Sequence, residues 1–196
     1  NGCIKPNLEM YFRGVGGRPF AGRHFEALSA MGEPDKFAAT DLLAVEALSI
    51  KFPSDAAVML LDGKQAASLD EELLGIPANK NMWEVPRKVF EKGQAAHRLH
   101  EKLQKVLPGV GWVTAGKLMA AKRPKLIPVF DTFVKDELKP PTDYFWESMY
   151  DQLADPDRRE VISKVVSCAP AHVSLLRRID VAVWMHVWMR RHSPKR

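Results

Sequence analysis

Nine residues in the middle of the chain form a Gly-rich turn whose backbone could hold a phosphate. They read Leu-Pro-Gly-Val-Gly-Trp-Val-Thr-Ala, from Leu107 to Ala115. Gly109 and Gly111 let the backbone turn sharply and approach a partner closely, because they carry no Cβ. A helix that begins after this turn has unpaired N–H groups in its first turn, and such groups bind phosphate. The sequence therefore predicts an anion site between two helices.

The charges near this turn agree with a negatively charged partner. Between Lys102 and Phe130 there is no acidic residue but there are six basic ones, which are Lys102, Lys105, Lys117, Lys122, Arg123 and Lys125. Such a run of charges is also common on a solvated helix face. Asp131 ends the acid-free stretch. Its carboxylate can stabilise a developing positive charge and activate water, or it can simply cap the N-terminus of a helix.

Two helices must position the turn. Apolar residues recur at helical spacing on both sides of it, at Leu99, Leu103 and Val106 before and at Ala115, Leu118 and Met119 after. This pattern predicts a helix-hairpin-helix over residues 99–122. We expect a break at Arg123-Pro124 and then a helix from Asp131 to Leu138, which Pro140-Pro141 ends.

The rest of the pattern predicts an all-α fold. Residues 1–35 are rich in Gly and Pro and are expected to be mostly loop, with one short helix, while residues 36–196 form a single helical domain. Ser54 and the Ser68–Glu71 pair are expected helix caps. Only residues 126–129 alternate briefly as a strand would. The remaining helices are expected at 24–31, 40–50, 54–61, 68–75, 82–106, 143–153, 157–167 and 174–191, the last of them in the core.

Residues 99–134 resemble the hairpin and catalytic-aspartate segment of the helix-hairpin-helix base-excision DNA glycosylases, the endonuclease-III-like superfamily. That family has a Leu-Pro-Gly-Val-Gly-x-x-Thr-Ala hairpin, which stands here at Leu107–Ala115. Its Val-Asp-Thr resembles Val129-Phe130-Asp131-Thr132, with one residue inserted. The chain, including Arg18-Pro19-Phe20 and residues 173–184, is also similar to bacterial proteins of unknown function that bear this hairpin.

The first resemblance implies a glycosylase-like helical domain that acts in DNA repair, with Asp131 as the catalytic residue. It also implies that the hairpin holds the duplex backbone through its amides and a bound monovalent cation at Leu107 and Gly109. The expected DNA-contacting residues are Leu107, Pro108, Gly109, Val110, Gly111, Trp112, Thr114, Lys117, Lys122, Arg123 and Lys125. The target base would have to leave the stack and enter a pocket.

Two departures from the family limit this expectation. Bifunctional members carry a nucleophilic lysine two residues after the second glycine, where this chain has Val113. Lyase chemistry through that position is therefore not expected, and any excision is expected to be monofunctional. The four-cysteine iron–sulfur site of many members is also absent, since the chain has 2 cysteines.

Two other functions remain open from the residues alone. The chain could be a non-catalytic DNA-binding module on the same scaffold, or a protein-interaction domain with a structural hairpin. A pocket beside Asp131 on the hairpin side would favour the enzyme. Asp131 packed away beneath a basic hairpin face would favour the binding module.

Composition sets broad limits. With 196 residues and 46% hydrophobic residues the chain can bury a core, and its net charge of +5 weakly favours an acidic partner. The two cysteines, Cys3 and Cys168, agree with a reducing compartment. The sequence has no apolar run of membrane-spanning length and no signal-peptide pattern, so we expect a cytoplasmic protein.

A few further residues deserve a structural test. His97 and His100 are one helical turn apart and are expected on a solvated face rather than at a metal. Residues 14–18 form a glycine loop that is more typical of a flexible segment than of a phosphate site. Trp83, Trp112 and Trp146 could stack on bases, Trp112 best of the three. Asp180 is expected to pair with Arg177 or to line a polar pocket.

Overall fold

The computed structural model of the protein describes residues 4–62, 64–140 and 145–192, and this part of the chain is all-α, as predicted. Asp143 and the residues after His192 lie outside it. Its helices are α1 (Ile4–Arg13), α2 (Phe25–Ser29), α3 (Ala39–Ala47), α4 (Ser54–Leu61), α5 (Lys64–Leu74), α6 (Ala95–Val106), α7 (Trp112–Lys122), α8 (Thr132–Leu138), α9 (Phe145–Leu153), α10 (Pro156–Val165) and α11 (Leu175–His192).

Helix α7 lies at the centre of the fold. It packs against α2, α3 and α6. Ala115, Ala120 and Ala121 are buried and let the neighbouring helices approach closely, while Leu118 and Met119 are fully buried in the main core. The buried side chains of α7 are therefore held in place by three other helices.

A second, smaller core joins the two ends of the described chain. Helix α1 packs against α11, and Leu8, Tyr11, Val181 and Met185 are buried between them. The expectation that residues 1–35 are mostly loop is therefore wrong. Pro6 and the glycines that follow α1 favour a loop, but Pro6 lies in the first turn of α1, where proline is tolerated, and the apolar side of α1 packs against the C-terminal helix.

The predicted long helix from residue 82 to 106 is also wrong. The chain there makes two short 3-10 turns, Met82–Glu84 and Arg87–Phe90, before α6 begins at Ala95. Pro86 lies between the turns, and Gly93 has a φ of +82° that no helix allows.

Three local predictions also fail. Ser54 is the first residue of α4 and not its cap, which is Pro53. Ser68 lies inside α5, where its hydroxyl accepts a hydrogen bond from Lys102 at 2.7 Å. Residues 126–129 are not a strand, since they lie buried in an irregular segment between α7 and α8.

The helix boundaries around the hairpin agree with the prediction. Helix α7 ends at Lys122, immediately before Arg123-Pro124, and α8 ends at Leu138 with Lys139 in the left-handed conformation. Over the described residues, no helix is both long and apolar enough to cross a membrane.

Candidate active site beside the hairpin

One side of the turn between α6 and α7 is anchored in the core, and the other side is exposed. Leu107 and Val110 are buried and anchor it to the core, whereas Pro108, Gly109 and Gly111 are exposed. Gly109 has a φ of +75°, and a Cβ on it would lie 3.1 Å from Cγ of Pro53. A larger residue at this position would be strained by both its backbone and its neighbour.

The start of α7 presents free backbone donors. Among the described residues, the amides of Trp112, Val113 and Thr114 have no hydrogen-bond acceptor, and Gly111 offers no side-chain cap. The intrahelical bonds begin with the Ala115 amide, which donates to the Gly111 carbonyl at 3.0 Å. Unpaired amides at a helix N-terminus favour an anion.

Asp131 is the N-cap of α8, as predicted. Its Oδ1 accepts a hydrogen bond from the Val134 amide at 3.1 Å. Its Oδ2 lies 3.7 Å from Nζ of Lys117, which reaches it from α7. The Asp131 side chain is 18% exposed, so the carboxylate is held at both oxygens and remains accessible.

The accessible side of Asp131 opens into a cavity of about 340 Å³. This volume lies at the lower end of the range of about 300–1,000 Å³ that is typical of small-molecule sites. Val113, in the first turn of α7, lines the same cavity, so the hairpin and the carboxylate share it. Phe20, Phe133 and Trp184 give it partly exposed aromatic walls, and Phe133 stacks on Trp184 with ring centroids 6.2 Å apart.

The inner end of the cavity is polar. Arg177 donates to both Asp180 and the hydroxyl of Tyr11, and also to the Gly22 carbonyl at 3.2 Å. Asp180 therefore both pairs with Arg177 and lines a pocket, so the two expectations for it hold together. Burial raises the pKa of Asp180 to about 6, against the opposing effect of the Arg177 charge.

Three basic residues expected at a DNA backbone are buried instead, which corrects that expectation. Lys117 points inward to Asp131 and to the Leu48 carbonyl, at 3.3 Å from the latter. Lys122 lies 2.6 Å from the Asp41 carboxylate, and both side chains are almost fully buried. Buried charges need such partners, so these cations neutralise the interior.

Arg123 has a similar internal role. Its guanidinium donates to the Leu73 and Ile76 carbonyls at the end of α5, at 2.8 and 2.9 Å, and to Asp35 at 2.6 Å. A cation at a helix C-terminus is favourable because the carbonyls there carry partial negative charge. Arg123 thus fastens α5 to the end of α7.

Two of the six basic residues are exposed, Lys105 and Lys125. Lys105 is in the last turn of α6, next to the hairpin. Lys125 follows the far end of α7, which has 11 residues and is therefore about 16 Å long. Lys102 is held by Ser68 and lies 3.6 Å from Glu72.

The two histidines do not lie on a solvated face, so that expectation is wrong. His97 is fully buried, and its Nε2 lies 2.7 Å from the Phe90 carbonyl. His100 joins α6 to α7, with Nε2 at 3.0 Å from the Trp112 carbonyl and Nδ1 at 3.1 Å from the Gln104 amide nitrogen. Burial lowers the pKa of both histidines. The described residues contain no cluster of His, Cys, Asp or Glu that could hold a metal.

The three tryptophans have different surroundings. Trp112 is 38% exposed at the hairpin and lines a second cavity of about 270 Å³ on an adjacent face of α7. Trp146 is buried in the same region against His100, with centroids 5.6 Å apart. Trp83 lies far along the chain under the guanidinium of Arg159, at 5.1 Å. Of the three, Trp112 keeps the exposure that stacking on a base needs.

The glycine loop after α1 makes a turn. Gly14 and Gly16 have φ values of +73° and +80°, and the Gly17 amide donates to the Gly14 carbonyl at 3.0 Å. The loop brings Phe20 back to Tyr11, on which it stacks at 5.2 Å. The glycine loop therefore connects α1 to the cavity wall.

The sequence patterns do not predict most of the residues that line the cavity. Tyr11 lies in the segment expected to be loop, and Lys117 was assigned to the surface. Only the Asp180–Arg177 pair, three residues apart in an apolar helix, indicated a buried polar site.

The fold and site define an all-α protein with an aromatic, partly charged cavity beside a Gly-rich turn. The chain belongs to a family of unknown function (DUF6308), whose profile matches residues 4–187. This agrees with the similarity to bacterial proteins of unknown function. No curated protein and no solved structure matches the chain.

Proposed function

We propose that this protein binds DNA through the hairpin and excises a nucleobase through Asp131, as a monofunctional DNA glycosylase. The observation that supports this most strongly is the shared cavity, into which both the Asp131 carboxylate and the first turn of α7 project. A pocket beside Asp131 on the hairpin side is the feature that separates an enzyme from a binding module.

Each part of the site has a role in this reaction. Phe20, Phe133 and Trp184 stack on an everted base, since base–aromatic stacking tolerates many bases. As the glycosidic bond breaks, positive charge develops on the sugar. The Asp131 carboxylate stabilises that charge and takes a proton from the attacking water. Its two protein partners hold it in place before the substrate arrives.

The hairpin binds the DNA backbone. The free amides at the start of α7 bind a phosphate, and the exposed Pro108, Gly109 and Gly111 leave no large side chain in its way. This contact reads no sequence, so its role is to set the register of the duplex. Because Lys117, Lys122 and Arg123 are internal, backbone amides carry more of this contact than the basic residues do.

The proposal includes a monovalent cation at the same turn, as the resemblance implies. The Leu107 carbonyl accepts the Val110 amide at 3.2 Å, which leaves it one lone pair, and Gly109 is exposed with no Cβ beside its carbonyl. A cation held by the Leu107 and Gly109 carbonyls would supply positive charge next to the phosphate.

A non-catalytic DNA-binding module is the second candidate. One observation favours it, which is that both oxygens of Asp131 already have protein partners, Val134 and Lys117. In this case the carboxylate caps α8 and compensates a buried cation, and the cavity holds a base without cleaving it.

A lesion screen tests the proposal. The protein is incubated with duplexes that each carry one modified or mismatched base, and strands are resolved after alkali treatment, which cleaves abasic sites. We expect alkali-dependent cleavage of at least one duplex and none without alkali. Binding of the same duplexes is measured at several salt concentrations. Salt-sensitive binding with no cleavage of any duplex would favour the binding module, and the absence of salt-sensitive binding would reject both functions.

A further inference from the structure

The cavity contains an amine that the proposed excision does not use as a nucleophile. Lys117 follows Val113 by four residues, so the two lie on the same face of α7, and both line the cavity. Lys117 is buried, and its Nζ is 3.7 Å from Asp131 and 3.3 Å from the Leu48 carbonyl.

The surroundings of this amine differ from those of the other buried lysine of the same helix. Lys122 lies 2.6 Å from Asp41 and 2.9 Å from the Glu33 carbonyl, and it does not line the large cavity. The Lys117–Asp131 ion pair is longer, at 3.7 Å, and the Lys117 side chain, which is 4% exposed, lines the cavity. Four other charged or titratable groups line the same cavity, namely Asp131 at the start of α8, Asp180 and Arg177 on α11, and Tyr11 on α1.

We propose that the Lys117 amine is a reactive group that captures the aldehyde of an abasic deoxyribose as an imine. The identity of this aldehyde rests on the proposed base excision, which leaves an abasic sugar in the cavity. The reactivity of the amine rests on its own position. Burial lowers the pKa of Lys117, against the opposing charges of Asp131 and Asp180, and a desolvated lysine amine is a stronger nucleophile at neutral pH.

The step balances with the groups at hand. Asp131 takes one proton from the Lys117 ammonium and frees the nitrogen lone pair. The nitrogen attacks C1′ of the open-chain sugar and a C–N bond forms, while one N–H proton passes to the carbonyl oxygen to give a carbinolamine hydroxyl. Asp131 returns its proton to that hydroxyl, which leaves as water, and the last N–H proton stays on the nitrogen. The product is a protonated imine that retains the single positive charge. Hydrolysis reverses these bonds and returns the amine and the abasic sugar, so strand cleavage after excision still requires alkali.

The first test uses a duplex that already contains one abasic site, so that no base excision is needed. The whole protein is mixed with this duplex and sodium borohydride, which reduces an imine to a stable amine, and the adduct is mapped by peptide mass. We expect the adduct on Lys117. Lys117→Arg should abolish it while retaining the charge beside Asp131, because a guanidinium does not form the imine. Lys122→Arg, the same change on the same helix, should leave the adduct intact.

The second test needs no variant and no DNA. The native protein is treated with limiting propanal and cyanoborohydride, and the modification of each lysine is followed by mass. We expect Lys117 to react faster than the buried Lys122 and the exposed Lys105. An adduct that maps away from Lys117, or a Lys117 that reacts more slowly than Lys122, would overturn the proposal. Reaction with propanal but not with the abasic duplex would overturn the proposal that the abasic sugar is the target of the Lys117 amine.

These outcomes are separate from those of the proposed function. A positive lesion screen with an inert Lys117 would reject this inference alone. A Lys117 adduct with no base excision on any duplex would reject the glycosylase and retain the amine.

Discussion

The two oxygens of the Asp131 carboxylate face different partners, and the Val134 amide holds one of them at 3.1 Å. The other lies 3.7 Å from Nζ of Lys117, at the edge of the cavity. The same side chain therefore closes the N-terminus of α8 and supplies charge to the cavity. The first contact is a helix cap that Asn can also make, whereas the second needs the charge of the carboxylate.

Asp131→Asn separates them. Asn caps helices about as well as Asp, so the variant keeps the cap but loses the helix-dipole interaction, on the order of 0.3–1 kcal/mol, and the ion pair with the buried Lys117. We expect a lower melting temperature, because the Lys117 ammonium stays buried without its carboxylate, and base excision reduced by orders of magnitude. Asp131→Ala should cost about 1 kcal/mol more in urea unfolding. Full excision activity in the Asn variant would show that Asp131 is not catalytic.

Gly111→Glu tests the hairpin contact. A Cβ at Gly111 would meet nothing within 4 Å, and its φ of −90° suits any residue. A carboxylate at a helix N-terminus is also favourable for stability. We therefore expect a normally folded protein whose DNA affinity falls because the new charge repels phosphate. Gly111→Gln is the matched control, equal in size and neutral, and should bind within a few fold of the native protein. Equal affinities of the Glu and Gln variants would remove the hairpin from the interface.

Lys105 and Lys125 test which side of the molecule meets the duplex. Both are exposed, but Lys105 precedes the hairpin and Lys125 follows the other end of α7. Each phosphate contact contributes a slope of about −0.9 to a plot of log K against log salt for duplex DNA. Lys105→Gln should therefore lower the magnitude of the slope by about 1, and Lys125→Gln should change it less. The reverse order would place the duplex on the C-terminal side of α7.

The sequence predicted the parts of this site that depend on local rules. The turn at Gly109 and Gly111, the break at Pro124 and the cap at Asp131 all follow from backbone preferences of the residues themselves. The side-chain directions of Lys117 and Lys122 depend instead on which helices cover α7. Carboxylates from distant segments, Asp131 and Asp41, meet them, and such pairing has no local pattern. Tyr11 illustrates the same limit, because its wall position depends on α1 docking against α11.

The next prediction concerns the ion pair between Lys122 and Asp41. Its atoms lie 2.6 Å apart, and the two side chains are 1% and 0% exposed. Removing one partner leaves an uncompensated buried charge, so Lys122→Met should lower the free energy of unfolding by about 3–5 kcal/mol. The double change Lys122→Met with Asp41→Leu should recover a large part of this loss. Urea denaturation measures both, and Lys105→Gln, at the surface, should stay within about 0.5 kcal/mol of native. A single variant as stable as the surface variant would mean that the pair is hydrated.

Asp180 makes stability depend on pH in a direction opposite to that of most carboxylates. Its pKa in the folded protein is about 6, raised chiefly by burial, whereas an unfolded Asp titrates near 3.9. Between these values the folded state binds a proton that the unfolded state does not, so this group contributes stability below about pH 4. That contribution is lost as the pH rises to about 6, and it stays constant above. Asp180→Asn removes the titration and retains an acceptor for Arg177. We therefore expect the native protein to lose stability relative to the Asn variant as the pH rises from 4 to 6, by about 3 kcal/mol at most. Urea unfolding of both proteins at several pH values measures this difference. A difference that does not change with pH would show that Arg177 keeps Asp180 ionised throughout, and that the inner end of the cavity holds a permanent ion pair.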